Sequence, residues 1–283
     1  MRRLICCFVC FLWLTGTLFA ADDDFNRKVY SLRWIAYAPT HFNPEAKLYP
    51  DRRSLEQDLK VLRDAGFNGI ITYGSEYSLA EIPEIAKALG FQGVIMGIWN
   101  IQDSNEIASA IFMADYVDGY CVGNEGLYKG YDLDELKKAI DYVKAKTHRP
   151  ATTTEEIFDY AKTYVLEIGD WIFPNVHPFL SSVKDPAPAV NWIKGHYRII
   201  KRHADQLKKP VLFKEIGYPT RGDIHASAKN QKKFFDLMEK SGIVFAYFEA
   251  FDQYWKRWLP VEPHWGLFDK NRKPKSYIKL KRF

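Results

Sequence analysis

The amino-acid sequence predicts a single α/β domain, a (β/α)8 TIM barrel with a loop-rich C-terminal tail. Three observations predict it. Apolar or β-branched runs begin near Ser31, Gly69, Gly93, Tyr116, Ala151, Ile172, Val211 and Val244, a set of eight. The stretches between them are long enough for helical crossovers of roughly a dozen residues or more, the connection that parallel strands require. No glycine-rich phosphate loop follows the first run, which argues against a doubly wound open sheet. A chain of 283 residues accommodates one such barrel, which uses about 250 residues.

The elements follow in order. Arg2 and Arg3 precede the apolar run from Leu4 to Leu14, and small residues then lead to Ala20, Ala21 and the acidic cluster at Asp22–Asp24. That order reads as a secretory signal over residues 1–21, cut after Ala20 or Ala21, with no stable membrane insertion afterwards; an uncleaved membrane anchor is the alternative, near the short limit for spanning. The barrel is expected over residues 22–283. After the first strand, Leu55, Leu59, Leu62 and Ala65 form one helical stripe, and Gly66 stops it. After the fourth, Leu133, Leu136, Ala139, Ile140 and Val143 form another, with Asp132 as its N-cap. After the seventh, the helix over 226–240 carries Phe234, Phe235, Leu237 and Met238 ahead of Gly242. The segment from Asp252 is read as a tail that closes over the eighth strand.

Composition narrows the function. At 47% hydrophobic residues the chain is no disordered segment. A net charge of +5, with 40 basic against 35 acidic residues and no basic block, gives no footprint for nucleic acid. Aromatic residues make up 16%, which suits a core or a surface that stacks flat ligands such as sugars. Of the four cysteines, Cys6, Cys7 and Cys10 fall in the leader, leaving Cys121 in a strand-like run as a buried, inert thiol. No histidine pair has the H-E-x-x-H spacing, so neither a catalytic metal nor a cofactor is expected.

In a βα barrel the chemistry sits where strands end. The fourth run ends Cys121-Val122-Gly123-Asn124-Glu125, and the seventh ends Phe213-Lys214-Glu215-Ile216-Gly217-Tyr218-Pro219. Two glutamates at separate strand ends are what retaining glycosidic hydrolysis needs, one giving a proton and the other attacking the sugar. A solvated or helix-capping role is the alternative for each taken alone.

The motifs around them resemble those of glycoside hydrolase family 17, the β-1,3-glucanases and related glucanosyltransferases. Val122-Gly123-Asn124-Glu125 and Glu215-Ile216-Gly217-Tyr218-Pro219-Thr220 are similar to its two signatures, Asn175-Val176-His177-Pro178-Phe179 to its sixth-strand motif. Phe251-Asp252-Gln253-Tyr254-Trp255-Lys256, then Glu262 and Trp265-Gly266-Leu267-Phe268, resemble its eighth-strand region. Tyr218 stands where the family has tryptophan, and Gln253 where plant members have glutamate. The resemblance implies that Glu125 is the general acid/base, Glu215 the nucleophile and β-glucan the substrate.

Around that pair, Asn124 is expected to bond the sugar 2-hydroxyl, or else to shape the turn. Tyr73 is expected to bond the nucleophile or the sugar, or else to be core; His177 is expected to contact the same sugar, or else to be a hydrogen-bonded structural residue. Tyr218 is expected in the site, and Phe248, Trp255 and Trp265 as sugar platforms or core. Lys256 and Glu262 are expected to pair across one end of the cleft, with Glu155 and Glu249 as further carboxylates. Hydrolysis is the leading reading. A glucanosyltransferase using the same two residues and a non-catalytic glucan-binding barrel are the alternatives.

Overall fold

The computed structural model describes residues 24–275; the leader assigned to residues 1–21 lies outside the described residues. Eight parallel strands are present among those residues: β1 Trp34–Ala36, β2 Gly69–Ile71, β3 Gly93–Ile98, β4 Gly119–Asn124, β5 Ala151–Thr154, β6 Asn175–Val176, β7 Phe213–Gly217 and β8 Phe245–Phe248. They run in the order β5-β4-β3-β2-β1-β8-β7-β6, and a parallel bridge from Glu156 to Asn175 nearly closes the sheet on itself. The helices are α1 (residues 24–31), α2 Arg52–Asp64, α3 Ile82–Ala88, α4 Ser104–Phe112, α5 Leu133–Thr147, α6 Thr163–Leu166, α7 Pro186–Leu207 and α8 Ala228–Glu239. The fold is the predicted (β/α)8 barrel. Among the described residues no helix is long and apolar enough to cross a membrane.

The helical stripes become packing faces. Leu55, Leu59 and Leu62 of α2 and Leu136, Ile140 and Val143 of α5 are all buried. Asp132 caps α5 in a full capping box with Glu135. Helix α8 begins at Ala228, because the Ser227 side chain accepts from Asn230 N–H and sets the start.

Three strand starts differ from the sequence reading by three residues, each for a local reason, and β7 and β8 begin two and one residues later than read. Ser31 closes α1 and β1 begins at Trp34. Tyr116 ends a 3-10 turn before β4. Ile172 does pair with Val211, but only as an isolated bridge, and β6 proper begins at Asn175. Pro174 lies between them and has no N–H to give a ladder.

The lower end of the barrel is sealed by large side chains. Trp34, Phe25 and Val29 of α1, Trp171 and Phe173 pack in one buried cluster with Ile71, Ile95, Cys121 and Leu212. Glycines at the starts of β2, β3 and β4 make the room. A Cβ at Gly69 would stand 2.5 Å from Trp34 Cε3, and one at Gly119 would stand 2.7 Å from Phe25 Cε2. Overpacking of this kind typically costs about 1–3 kcal/mol. Gly69→Ala is therefore expected to lower the melting temperature while sparing turnover in the cold, since Trp34 lies at the opposite end from the glutamates. Thermal unfolding followed alongside activity checks both halves.

The tail closes as expected. Phe268 bridges Phe251 in parallel just past β8, and Arg272 Nε donates to the buried Asp58 at 2.7 Å.

Candidate active site

Two irregular strand ends place the glutamates. Where β4 leaves β5, the register shifts between Cys121 and Asn124, with Gly123 at φ +78 and Glu125 at φ +53. A side chain at Gly123 is excluded, since its Cβ would lie 2.1 Å from the Tyr131 hydroxyl. Glu125 N–H donates to the Thr154 carbonyl at 2.8 Å and anchors the bend. Left-handed backbone at a glutamate is uncommon and recurs at functional sites. The β7–β8 register shifts likewise, between Phe213 and Ile216. Lys214 and Glu215 thereby meet, with Lys214 Nζ 3.3 Å from Glu215 Oε1.

Glu215 is the more firmly held carboxylate. Tyr73 donates its hydroxyl to Oε1 at 2.9 Å, and His177 Nε2 lies 3.0 Å from Oε2. Glu125 Oε1 accepts from Asn175 Nδ2 at 2.7 Å, and Asn175 Oδ1 accepts from the Thr154 hydroxyl at 3.0 Å. Asn124 is tied down too, its Oδ1 accepting from Lys214 Nζ. The Lys214 ammonium also sits 4.6 Å from the Tyr73 ring centroid. One oxygen of Glu125, one of Glu215 and one His177 ring nitrogen all lie within 4.8 Å of one another.

Environment pushes the two carboxyls apart. Burial would raise Glu215, but the Lys214 ammonium, the His177 hydrogen bond and Lys256 outweigh it and hold the group down to about 2. Glu125 is raised, first by burial and then by the Glu215 charge, with the Asn175 hydrogen bond opposing both. His177 is raised as well: burial works against its charged form, and its hydrogen bond to Glu215 overcomes that. One carboxyl is thus held ionised while its neighbour is biased toward the protonated form, the pattern that separates a nucleophile from an acid.

The sign of one perturbation is testable. Asn175 Nδ2 stabilises ionised Glu125, so Asn175→Ala removes a group that lowers its pKa. The alkaline limb of kcat/KM, where Glu125 gives up its proton, is expected to move to higher pH. A pH–rate profile of the variant beside the parent checks it; an unmoved or lowered limb contradicts the assignment.

The pair opens into a cavity of about 650 Å³. Tyr73, Asn124, Glu125, His177, Glu215, Phe248, Trp255, Lys256, Glu262 and Trp265, all expected in the site, line it. His177 is boxed by Phe248 and Trp265, with ring centroids at 5.0 and 5.5 Å.

Three expectations are corrected. Tyr218 is core: it is fully buried, with ring centroids 5.1 Å from Phe179 and 5.4 Å from Phe234. Its hydroxyl donates to the Lys184 and His225 carbonyls, in the loops that lead into α7 and α8, instead of facing the cavity. Lys256 pairs with Glu249, at 2.9 and 3.1 Å, and not with Glu262. Glu249 on β8 is fully buried and needs that cation; even so, burial pushes it up to about 7. Glu155 is buried and lies outside the cavity lining.

Residues not singled out from sequence complete the site: Lys214, the carboxamide of Asn175, and a wall of Phe42, Tyr49, Trp99 and Trp258. Period-2 alternation places Lys214 on the face opposite Glu215, and only the strand irregularity brings it inward. Cys121 is buried, and burial pushes its thiol up to about 11, as an inert core cysteine should be.

Glu125, His177 and Glu215 also offer the donor geometry a cation would need. His177 Nε2 is already spent on Glu215, and Glu125 is engaged by Asn175.

A parallel barrel with two carboxyls of opposed character at its C-terminal mouth is an arrangement that glycosidic hydrolysis can use. Residues 35–266 match the BtgE/BtgC glycoside hydrolase domain, and the chain belongs to that family. It is 29% identical over 260 residues to the glucan 1,3-beta-glucosidase of Arthroderma benhamiae, covering 80% of this chain and 84% of that protein. To the probable glucan endo-1,3-beta-glucosidase btgC of Aspergillus clavatus it is 25% identical over 288 residues. That match covers 83% of this chain, which spans only 40% of the length of the Aspergillus protein. Among solved structures, an active-site mutant of Rhizomucor miehei β-1,3-glucanosyltransferase in complex with laminaritriose superposes with a TM-score of 0.72 at 24% identity. The superposition covers 88% of this chain and 97% of that one. An endo-laminarinase from Formosa gives 0.70 at 16% identity, over 84% of this chain and 83% of that one. At these identities the structural matches speak to the fold.

Proposed function

We propose that the protein is a secreted, metal-independent retaining glycoside hydrolase acting on β-1,3-glucan, on the family 17 pattern of two glutamates. The observation that carries this reading is the proximity of Glu125 and Glu215, with oxygens within 4.8 Å, and their opposed pKa shifts. Retaining enzymes keep their carboxyls about 5–5.5 Å apart, whereas inverting ones leave about 6.5–9.5 Å for a water. The substrate follows from the motif resemblance and from the names of the relatives. Secretion rests on the charged, apolar and small-residue order of residues 1–21.

In the first step a Glu215 oxygen attacks the anomeric carbon, and the bond from that carbon to the leaving oxygen breaks. Glu125 gives its proton to that oxygen. In the second, ionised Glu125 takes a proton from water, and the resulting hydroxide displaces Glu215. Tyr73 and His177 hold Glu215 in line through its two oxygens. Lys214 fixes Asn124 beside the reacting sugar, where a bond to the 2-hydroxyl strengthens as the ring flattens.

Product analysis on laminarin and defined β-1,3-oligosaccharides, with and without EDTA, tests the reading. Reducing ends released from β-1,3-glucan but not from cellulose or starch, unchanged by the chelator, are expected. Comparable rates on β-1,4-glucan would overturn the substrate, and products longer than the starting oligosaccharide would make the protein a glucanosyltransferase. Binding without cleavage would mark a glucan-binding barrel.

A further inference from the structure

Glu106 is a buried carboxylate with no part in the chemistry above. It stands in the first turn of α4, three residues after the N-cap Asp103, where a glutamate ordinarily reaches back to the cap as part of a capping box. Here its side chain turns elsewhere. Its Oε1 accepts from the backbone N–H of Ser75 at 3.1 Å and of Trp99 at 2.7 Å. Its Oε2 accepts from Asn100 N–H at 2.8 Å, and the Ser75 hydroxyl donates to the Glu106 carbonyl at 3.0 Å. One side chain therefore pins the loop after β2 to the loop after β3. The junction is tight: a Cβ on Gly74 would lie 3.2 Å from Glu106 Oε1 and 3.7 Å from Trp99 Cβ. Burial works against the Glu106 charge, and the three N–H groups work for it.

The residue so pinned is Trp99, which lines the cavity yet is 55% exposed. An indole left half in water and seated on a fixed backbone presents an apolar face at little conformational cost on binding, which suits the flat face of a pyranose. Trp99 follows β3, and in the strand order β3-β2-β1-β8-β7 the nucleophile's strand is four places away. A sugar resting on it would lie beside β4 and Glu125, across the barrel mouth from β7 and Glu215.

We propose that Trp99 is the platform of a distal sugar subsite, and that Glu106 is the positioning residue that seats it. The inference rests on the β-1,3-glucan reading above. The subsite takes a glucose unit several residues along the chain from the scissile bond, so it acts only on ligands long enough to span the cavity.

Calorimetric affinities for laminaritriose and laminarihexaose test this in Glu215→Gln protein, which should bind without turnover. Adding Trp99→Ala is expected to weaken the hexaose about tenfold, equivalent to ~1.4 kcal/mol, and to leave the triose within about twofold, as for loss of one stacked aromatic contact. Glu106→Gln presents an amide N–H₂ to backbone donors in place of one acceptor oxygen. It should reproduce the hexaose loss and add nothing when combined with Trp99→Ala. Trp99→Ala, at an exposed side chain, keeps the test decisive where Glu106→Gln fails to fold. An equal loss for both lengths, or none for either, would overturn the subsite while leaving the substrate reading intact. Failure to bind either length, with parent protein inactive on laminarin, would overturn the substrate reading and the subsite together.

Discussion

Glu215→Gly is expected to remove nearly all activity on unactivated β-1,3-glucan, because no covalent glycosyl intermediate can form. Azide is small enough to enter from the vacated side and to displace an activated leaving group, giving the α-glucosyl azide. Glu125→Ala should behave differently. It spares the first step on substrates whose leaving group needs no proton, and azide then reacts with the intermediate from the other face to give the β anomer. On unactivated glucan each loss should reach at least the ~10²–10⁴-fold typical of general acid–base catalysis. The anomers are distinguished by NMR. Swapped products would reverse the two roles, and near-normal activity in either variant would remove the catalytic pair.

Lys214→Met should have the next largest effect. The lysine is fully buried, 3.3 Å from Glu215 Oε1, and first among the groups that lower that carboxyl's pKa. Methionine keeps much of the stem and removes the charge, so burial then dominates and the Glu215 pKa rises. A depressed carboxyl stays ionised until the pH falls through its folded value, here about 2. The variant should therefore lose its nucleophile at a higher pH, with the acid limb of kcat/KM displaced upward. Breaking one side of a buried charge pair costs about 3–5 kcal/mol, so the melting temperature should drop as well. Partial recovery of kcat on raising the pH separates an electrostatic effect from a packing defect. An acid limb that stays in place would show that Lys214 does not set the nucleophile's charge.

The architecture was legible because it depends on patterns the chain repeats. Leu55, Leu59 and Leu62 mark a buried helix face by spacing alone, and Asp132 marks a helix start by chemistry alone. The two glutamates were legible because barrel geometry makes strand ends informative and because their neighbours form recognisable words. What escaped had no local signal. Lys214 is hidden by an irregularity that breaks strand alternation. Glu106 follows Asp103 at capping-box spacing, and its long-range partners cannot be inferred from that local pattern. Tyr218 misled in the opposite direction, since a motif position normally held by tryptophan was read as a contact. Its hydroxyl instead found carbonyls in the loops that lead into α7 and α8. The pairing of Lys256 with Glu249 over Glu262 was likewise a three-dimensional choice, made by burial.

The raised carboxyl of Glu125 also carries a thermodynamic debt that the fold must carry. In the unfolded chain this side chain ionises freely, whereas the native pocket favours the proton. Below the ordinary carboxylate range both states hold the proton and the group costs nothing. As pH climbs from the ordinary carboxylate value through the raised native one the penalty grows to its full size, and within that window folding takes up a proton. Selection for a robust barrel and selection for an acid poised to donate therefore pull this one position in opposite directions. The residue proposed as the acid is one that a purely structural barrel would do better to replace with an amide.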